Sequence, residues 1–157
     1  MPQNVLLRTK RREEITFSPA LTMLRGTAEA CTPVAGAEAG VELFLTRCTE
    51  VIERYMDDPA FNIAVLCREL GLSHSTLYKK IKQVTGLSLN GFIRRVRLMK
   101  AALLLAEGNM MVAEAAAMTG FGDIKYFRKQ FFMLFGRTPS VYSRDHKNIP
   151  GNPDLYW

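Results

Sequence analysis

At 157 residues, with 48% hydrophobic and 23% charged side chains, the chain has the makeup of a folded protein of one domain, or one domain with tails. It has no apolar run of membrane-spanning length and no signal-peptide core, and its cysteines, Cys31, Cys48 and Cys67, lack the paired spacing of a zinc site. These features exclude a membrane span and a zinc finger, and they lead to the expectation of a cytoplasmic, reducing location.

The net charge of +6 becomes informative once it is located. Between Leu70 and Ala106 stand Lys79, Lys80, Lys82, Arg94, Arg95, Arg97 and Lys100, with no Asp or Glu. A one-signed run carried on helices makes a field that attracts polyanions, whereas solvated helix faces usually mix signs.

Residues 1–40 read as a linker or the end of an upstream domain, poorly ordered. The segment Gly26–Gly40, GTAEACTPVAGAEAG, is rich in Ala and Gly, and the cluster Lys10, Arg11, Arg12 reads as a solvated charge run. From Val41 the apolar residues Val41, Phe44, Leu45, Cys48, Val51, Ile52 and Tyr55 recur at helical spacing. Asp57-Asp58-Pro59 should end that helix, because the residue before proline is pushed out of the helical region.

Residues 62–86 read as a first helix-turn-helix. Ile63, Leu66, Cys67 and Leu70 mark one helix, Gly71 stands where a left-handed turn residue belongs, and Ser73 can cap the next helix. Counted from Leu77 at about 100° per residue, Ile81 and Val84 fall beside it, while Ser75, Tyr78, Lys79 and Lys82 point away. The small Cys67 lets the two helices cross closely.

Residues 88–106 form the next helix, apolar on more than one side and so placed as a connector between two subdomains, with Arg94 and Arg97 on its polar side. Residues 111–136 then repeat the first motif. Ala116 precedes Gly120 as Cys67 precedes Gly71, Asp123 is the cap, and Phe127, Phe131 and Leu134 are the counterparts of Leu77, Ile81 and Val84. No polar cap stands before Val112, where Met110-Met111 is found instead. Pro139 suits the first turn of a short closing helix, and residues 148–157 form a loop-like tail. The fold expected is all-α, with two tandem helix-turn-helix subdomains joined by a long connecting helix.

This arrangement resembles the DNA-binding domain of the AraC family of transcription regulators over residues 41–147. The most specific pieces are IRRVRLMKAALLL in the connector and GFGDIKYFRKQFFMLFGRTPSVY near the end, where Gly120, Phe121, Asp123, Tyr126, Phe127, Phe131, Phe135, Gly136, Pro139 and Tyr142 fall as in the family. The stretch FNIAVLCRELGLSHSTLYKKIKQVTGLSLNGFIRRVRL is closer still to the output domains of hybrid two-component regulators. The resemblance implies double-stranded DNA as partner. It also admits RNA polymerase and an upstream receiver or sensor module. One departure is Phe132-Met133, where the family usually carries basic residues.

On this reading Ser75, Tyr78 and Lys79 of the first unit, and Lys125, Arg128 and Lys129 of the second, face base edges. His74, Lys80, Lys82, Arg94 and Arg97 face phosphates. No catalytic or metal-binding set is present and no cofactor is implied, since His74 and His146 are far apart and no glycine-rich loop follows a strand. No heptad seam speaks to the oligomeric state. The alternative function is a nucleic-acid-binding or architectural module without sequence choice.

Overall fold

The computed structural model describes residues 35–147, and among them every regular element is an α-helix. In chain order these are α1 (Ala35–Arg54), α2 (Ile63–Leu70), α3 (His74–Thr85), α4 (Leu89–Ala106), α5 (Val112–Met118), α6 (Ile124–Phe135) and α7 (Pro139–Lys147). The charge run at Lys10, Arg11 and Arg12, Cys31 and the tail 148–157 lie outside the described residues.

One boundary differs from the sequence expectation. The first helix begins at Ala35, not Val41, so the last residues of the expected linker are helical. Alanine and glutamate are strong helix formers, and a helix already held by its packed half lengthens at the gain of one hydrogen bond per residue.

The helix ends are closed by the residues the sequence offers. Asn62 Oδ1 accepts from the Ala64 and Val65 amides at 2.9 and 3.2 Å, and Ser73 Oγ accepts from the Thr76 amide at 3.2 Å. In the second unit Asp123 Oδ1 accepts from the Lys125 and Tyr126 amides at 2.7 and 3.2 Å. The start of α5 lacks a polar residue at Met111, but Glu114 Oε2 reaches back to accept from the Met111 amide at 2.9 Å. It thus supplies the reciprocal half of a capping box.

The duplication extends to backbone hydrogen bonds. Leu72 N–H donates to the Cys67 carbonyl at 3.0 Å in the first turn, and Phe121 N–H donates to the Ala116 carbonyl at 2.9 Å in the second. The glycine inside each turn is left-handed, Gly71 at φ 65° and Gly120 at φ 75°, a conformation that costs a residue with a Cβ roughly 1–2 kcal/mol.

Two hydrophobic cores share α4. Leu89, Phe92, Ile93 and Val96 join the core built with Leu45, Ile52, Leu66, Leu77 and Ile81. Leu98, Ala101, Ala102 and Leu105 join the core of Ala115, Ala116, Phe127 and Phe131. The helix is apolar on several sides because its N-terminal half closes one subdomain and its C-terminal half the other. Burying Phe127 and Phe131 completely contributes about 1.5–3 kcal/mol each. Ala116 is buried at its helix crossing, while its larger counterpart Cys67 is only half-buried.

Candidate nucleic-acid interface

The inner face of α3 is held by Leu77, Ile81 and Thr85, all buried, and this fixes the rotation of the helix about its axis. Ser75, Tyr78, Lys79 and Lys82 are consequently exposed on the other side. Ser75 Oγ lies 3.2 Å from the capping Ser73 Oγ, so its hydroxyl belongs to the network that closes the helix start. Lys82 Nζ folds back on the Gly86 carbonyl at 2.7 Å, satisfying a free carbonyl at the helix C-terminus. Lys80 leans to the flank, its ammonium 5.3 Å from the centre of the Phe44 ring on α1. His74 is exposed in the first turn.

The second unit presents a matching face. Phe127 and Phe131 are buried, and Lys125, Arg128 and Lys129 are exposed on the opposite side of α6. Neither α3 nor α6 carries an acidic residue, and the ion pairs among the described residues are Arg54–Glu69, Lys100–Glu53 and Arg137–Asp145. The cations of both outward faces therefore have no acidic partner within that set and keep their charge for an external one. Phe132 and Met133 are 52% and 70% exposed on the same helix.

Arg94 and Arg97 depart from a purely outward role. Both are half-buried on α4. Arg94 Nη1 donates to the Tyr126 hydroxyl at 2.8 Å and so ties the connector to α6. Arg97 Nη1 donates to the Gly120 carbonyl at 3.3 Å, and its guanidinium lies 5.8 Å from the centre of the Phe61 ring. Burial lowers the pKa of Arg97 from its ordinary value. Its Nε is buried without a hydrogen-bond partner, so this guanidinium is turned into the junction between the two units.

Tyr126 and Glu114 were not singled out as functional from the sequence. Glu114 could have been found three residues after Met111 by the capping-box spacing. The Arg94–Tyr126 pair spans 32 residues and has no local signal.

A family model described as a helix-turn-helix domain matches residues 66–145. Among curated proteins, the chain is 36% identical over 101 residues to histidine kinase P4 of Formosa agariphila, covering 64% of this chain and 7% of that protein. It is 33% identical over 89 residues to the HTH-type transcriptional activator RhaR of Pectobacterium atrosepticum, covering 57% and 31%. The chain thus spans less than a third of either relative. Among solved structures, a probable AraC family transcriptional regulator from Rhodopseudomonas palustris superposes with a TM-score of 0.55 at 29% identity, covering 65% of this chain and 95% of that one. The DNA-binding domain of AdpA, solved in complex with a target DNA, shares the fold with a TM-score of 0.56 at 20% identity, covering 66% and 92%.

Proposed function

The chain belongs to the AraC-type helix-turn-helix family, a family of DNA-binding transcription regulators and not of enzymes, and from that membership we propose a specific mode of action. It is a sequence-specific regulator that lays α3 and α6 in two successive major-groove segments of double-stranded DNA, about 34 Å apart on one face.

The observation that carries this reading is the pairing of two outward faces in one register. Ser75, Tyr78 and Lys79 on α3 match Lys125, Arg128 and Lys129 on α6, each set opposite a buried apolar stripe. Arg128 suits guanine, because its planar fork can donate two hydrogen bonds to O6 and N7 at once. His74 and Lys80 border the first face and Lys82 continues it by one turn toward the helix C-terminus; the three meet phosphates, with Arg94 reaching them from the connector. Arg97, engaged at the junction, contributes by holding the two units together.

The histidine kinase relative, of which this chain matches a small part, supports an output role downstream of a receiver or sensor module. A regulator of this kind works on the chromosome, in the cytoplasm, and acts on RNA polymerase. The deciding experiment is a gel-shift comparison of duplex DNA, single-stranded DNA and RNA, followed by selection of bound duplexes from a random pool. Enrichment of one duplex sequence is the expected result. Equal affinity for all three nucleic acids would make the chain a module without sequence choice.

A further inference from the structure

The proposed contacts leave two exposed side chains of α6, Phe132 and Met133, without a role. Counted from the buried Phe127 at about 100° per residue, Phe132 lies about 140° round the helix, the direction that Lys82 holds on α3. Lys125, Arg128 and Lys129 lie at about 160°, 100° and 200° on the same count, so Phe132 continues the centre of the basic stripe by one turn. It is 52% exposed, and Met133 flanks it at 70%.

We propose that Phe132 is a specificity-determining residue that packs on the C5-methyl group of a thymine in the major-groove segment addressed by α6. The inference rests on the DNA-reading function above. Two requirements meet at this position. The occupant must be anionic, because three cations with no acidic partner in the set of ion pairs, Lys125, Arg128 and Lys129, precede the ring on the same outward face. It must also offer an apolar group, because a phenyl ring can form no hydrogen bond to a phosphate or a base edge.

Duplex DNA meets both requirements through thymine, the one base whose major-groove edge carries a methyl group. Cytosine bears only a hydrogen at C5 and offers less contact, and over adenine or guanine the ring would cover a donor or acceptor and leave it unpaired, so contact turns into discrimination. A protein surface seated here would have to desolvate Lys125, Arg128 and Lys129 together. Stacking on single-stranded bases calls for a platform of successive aromatic side chains. On α6, however, Phe127 and Phe131 are buried, and Tyr126, exposed as it is, lies about 120° round the helix from Phe132 with its hydroxyl accepting from Arg94. Phe132 stands by itself on the outward face.

The test begins with the duplex recovered from the random pool. Failure to enrich any sequence would remove the DNA-reading function itself, a different result from any obtained in the next step. Each thymine of the recovered duplex is then replaced singly by uracil, which preserves every hydrogen-bonding group and removes only the methyl. The native chain should lose affinity about three- to fivefold at one such position, the worth of one methyl group taken from water. Phe132→Ser should lose nothing on the same replacement, while Phe132→Leu, with an apolar tip, should keep part of the loss. Indifference of the native chain to every uracil, or an equal uracil penalty in Phe132→Ser, overturns the proposal. Single-stranded DNA bound as tightly as the duplex does so too.

Discussion

Arg97, on the connecting helix, and Gly120, in the turn of the second helix-turn-helix, meet at one point: the guanidinium donates to the glycine carbonyl at 3.3 Å, and a Cβ built on Gly120 would stand 2.9 Å from Arg97 Cζ. The same Cβ would collide with the Met56 carbonyl, from the loop that follows α1. Gly120 is therefore bound by two constraints, a left-handed φ of 75° and a lack of space. Gly71, its counterpart, has the left-handed φ but nothing within 4 Å. Gly71→Ala should cost roughly 1–2 kcal/mol, from backbone strain. Gly120→Ala should cost about 2–4 kcal/mol, because overpacking against backbone is added. Urea unfolding of the two variants measures the difference, and equal losses would mean that the junction yields to the extra carbon.

Arg97→Met separates the junction role from a phosphate role. If the guanidinium holds the units together, the variant should bind a full operator about tenfold more weakly, yet bind isolated half-sites as before and keep the salt dependence. If Arg97 neutralises a phosphate, the slope of log K against log salt should instead fall by about one. Titrations of full and half operators at several salt concentrations distinguish these outcomes.

Arg128→Ala should lower discrimination at one or two base pairs by about 1–3 kcal/mol, whereas Lys82→Ala should weaken binding to all sequences and flatten its salt dependence. Arg128 is exposed on the outward face of α6, while Lys82 on α3 is folded back on the Gly86 carbonyl, a contact it has only to release to swing outward. A panel of single-base operator variants reads both effects. Uniform loss in both mutants would remove the base-reading role of Arg128.

Phe132→Lys should exchange thymine preference for charge. Binding to all duplexes should strengthen by roughly a single phosphate contact and the salt slope should steepen by about one. No change in either quantity, in a folded variant, would place the residue away from DNA.

Cys48 makes a pH prediction. Its thiol is wholly buried, and burial pushes its pKa up to about 12 from 9.0, against smaller opposing effects of Arg47 and Lys80. Between these values the folded chain keeps a proton that the unfolded chain has released. Stability is therefore fully present below pH 9 and falls as pH rises toward 12. Cys48→Ala should shallow that alkaline decline, as read from urea midpoints at pH 8, 9, 10 and 11. The thiol should also resist alkylation in the native state at neutral pH, because the reactive species is the thiolate.

What the sequence determined by itself is local in origin. The helix periods, the glycine turns at Gly71 and Gly120, the caps Ser73 and Asp123 and the inward stripes Leu77–Ile81 and Phe127–Phe131 are legible because each depends on residues within one or two turns of chain. The outward direction of Lys79, Arg128 and Phe132 follows from those stripes without further knowledge, since a helix with one side buried has its rotation set. Tertiary structure alone decided the fate of Arg94 and Arg97. On α4 both occupy polar positions that look free, but Tyr126 is brought to one and Gly120 and Phe61 to the other from distant parts of the chain. A half-buried guanidinium takes whatever acceptor is packed beside it, because an unpaired one costs too much. Which acceptor that is depends on how the two units close around α4.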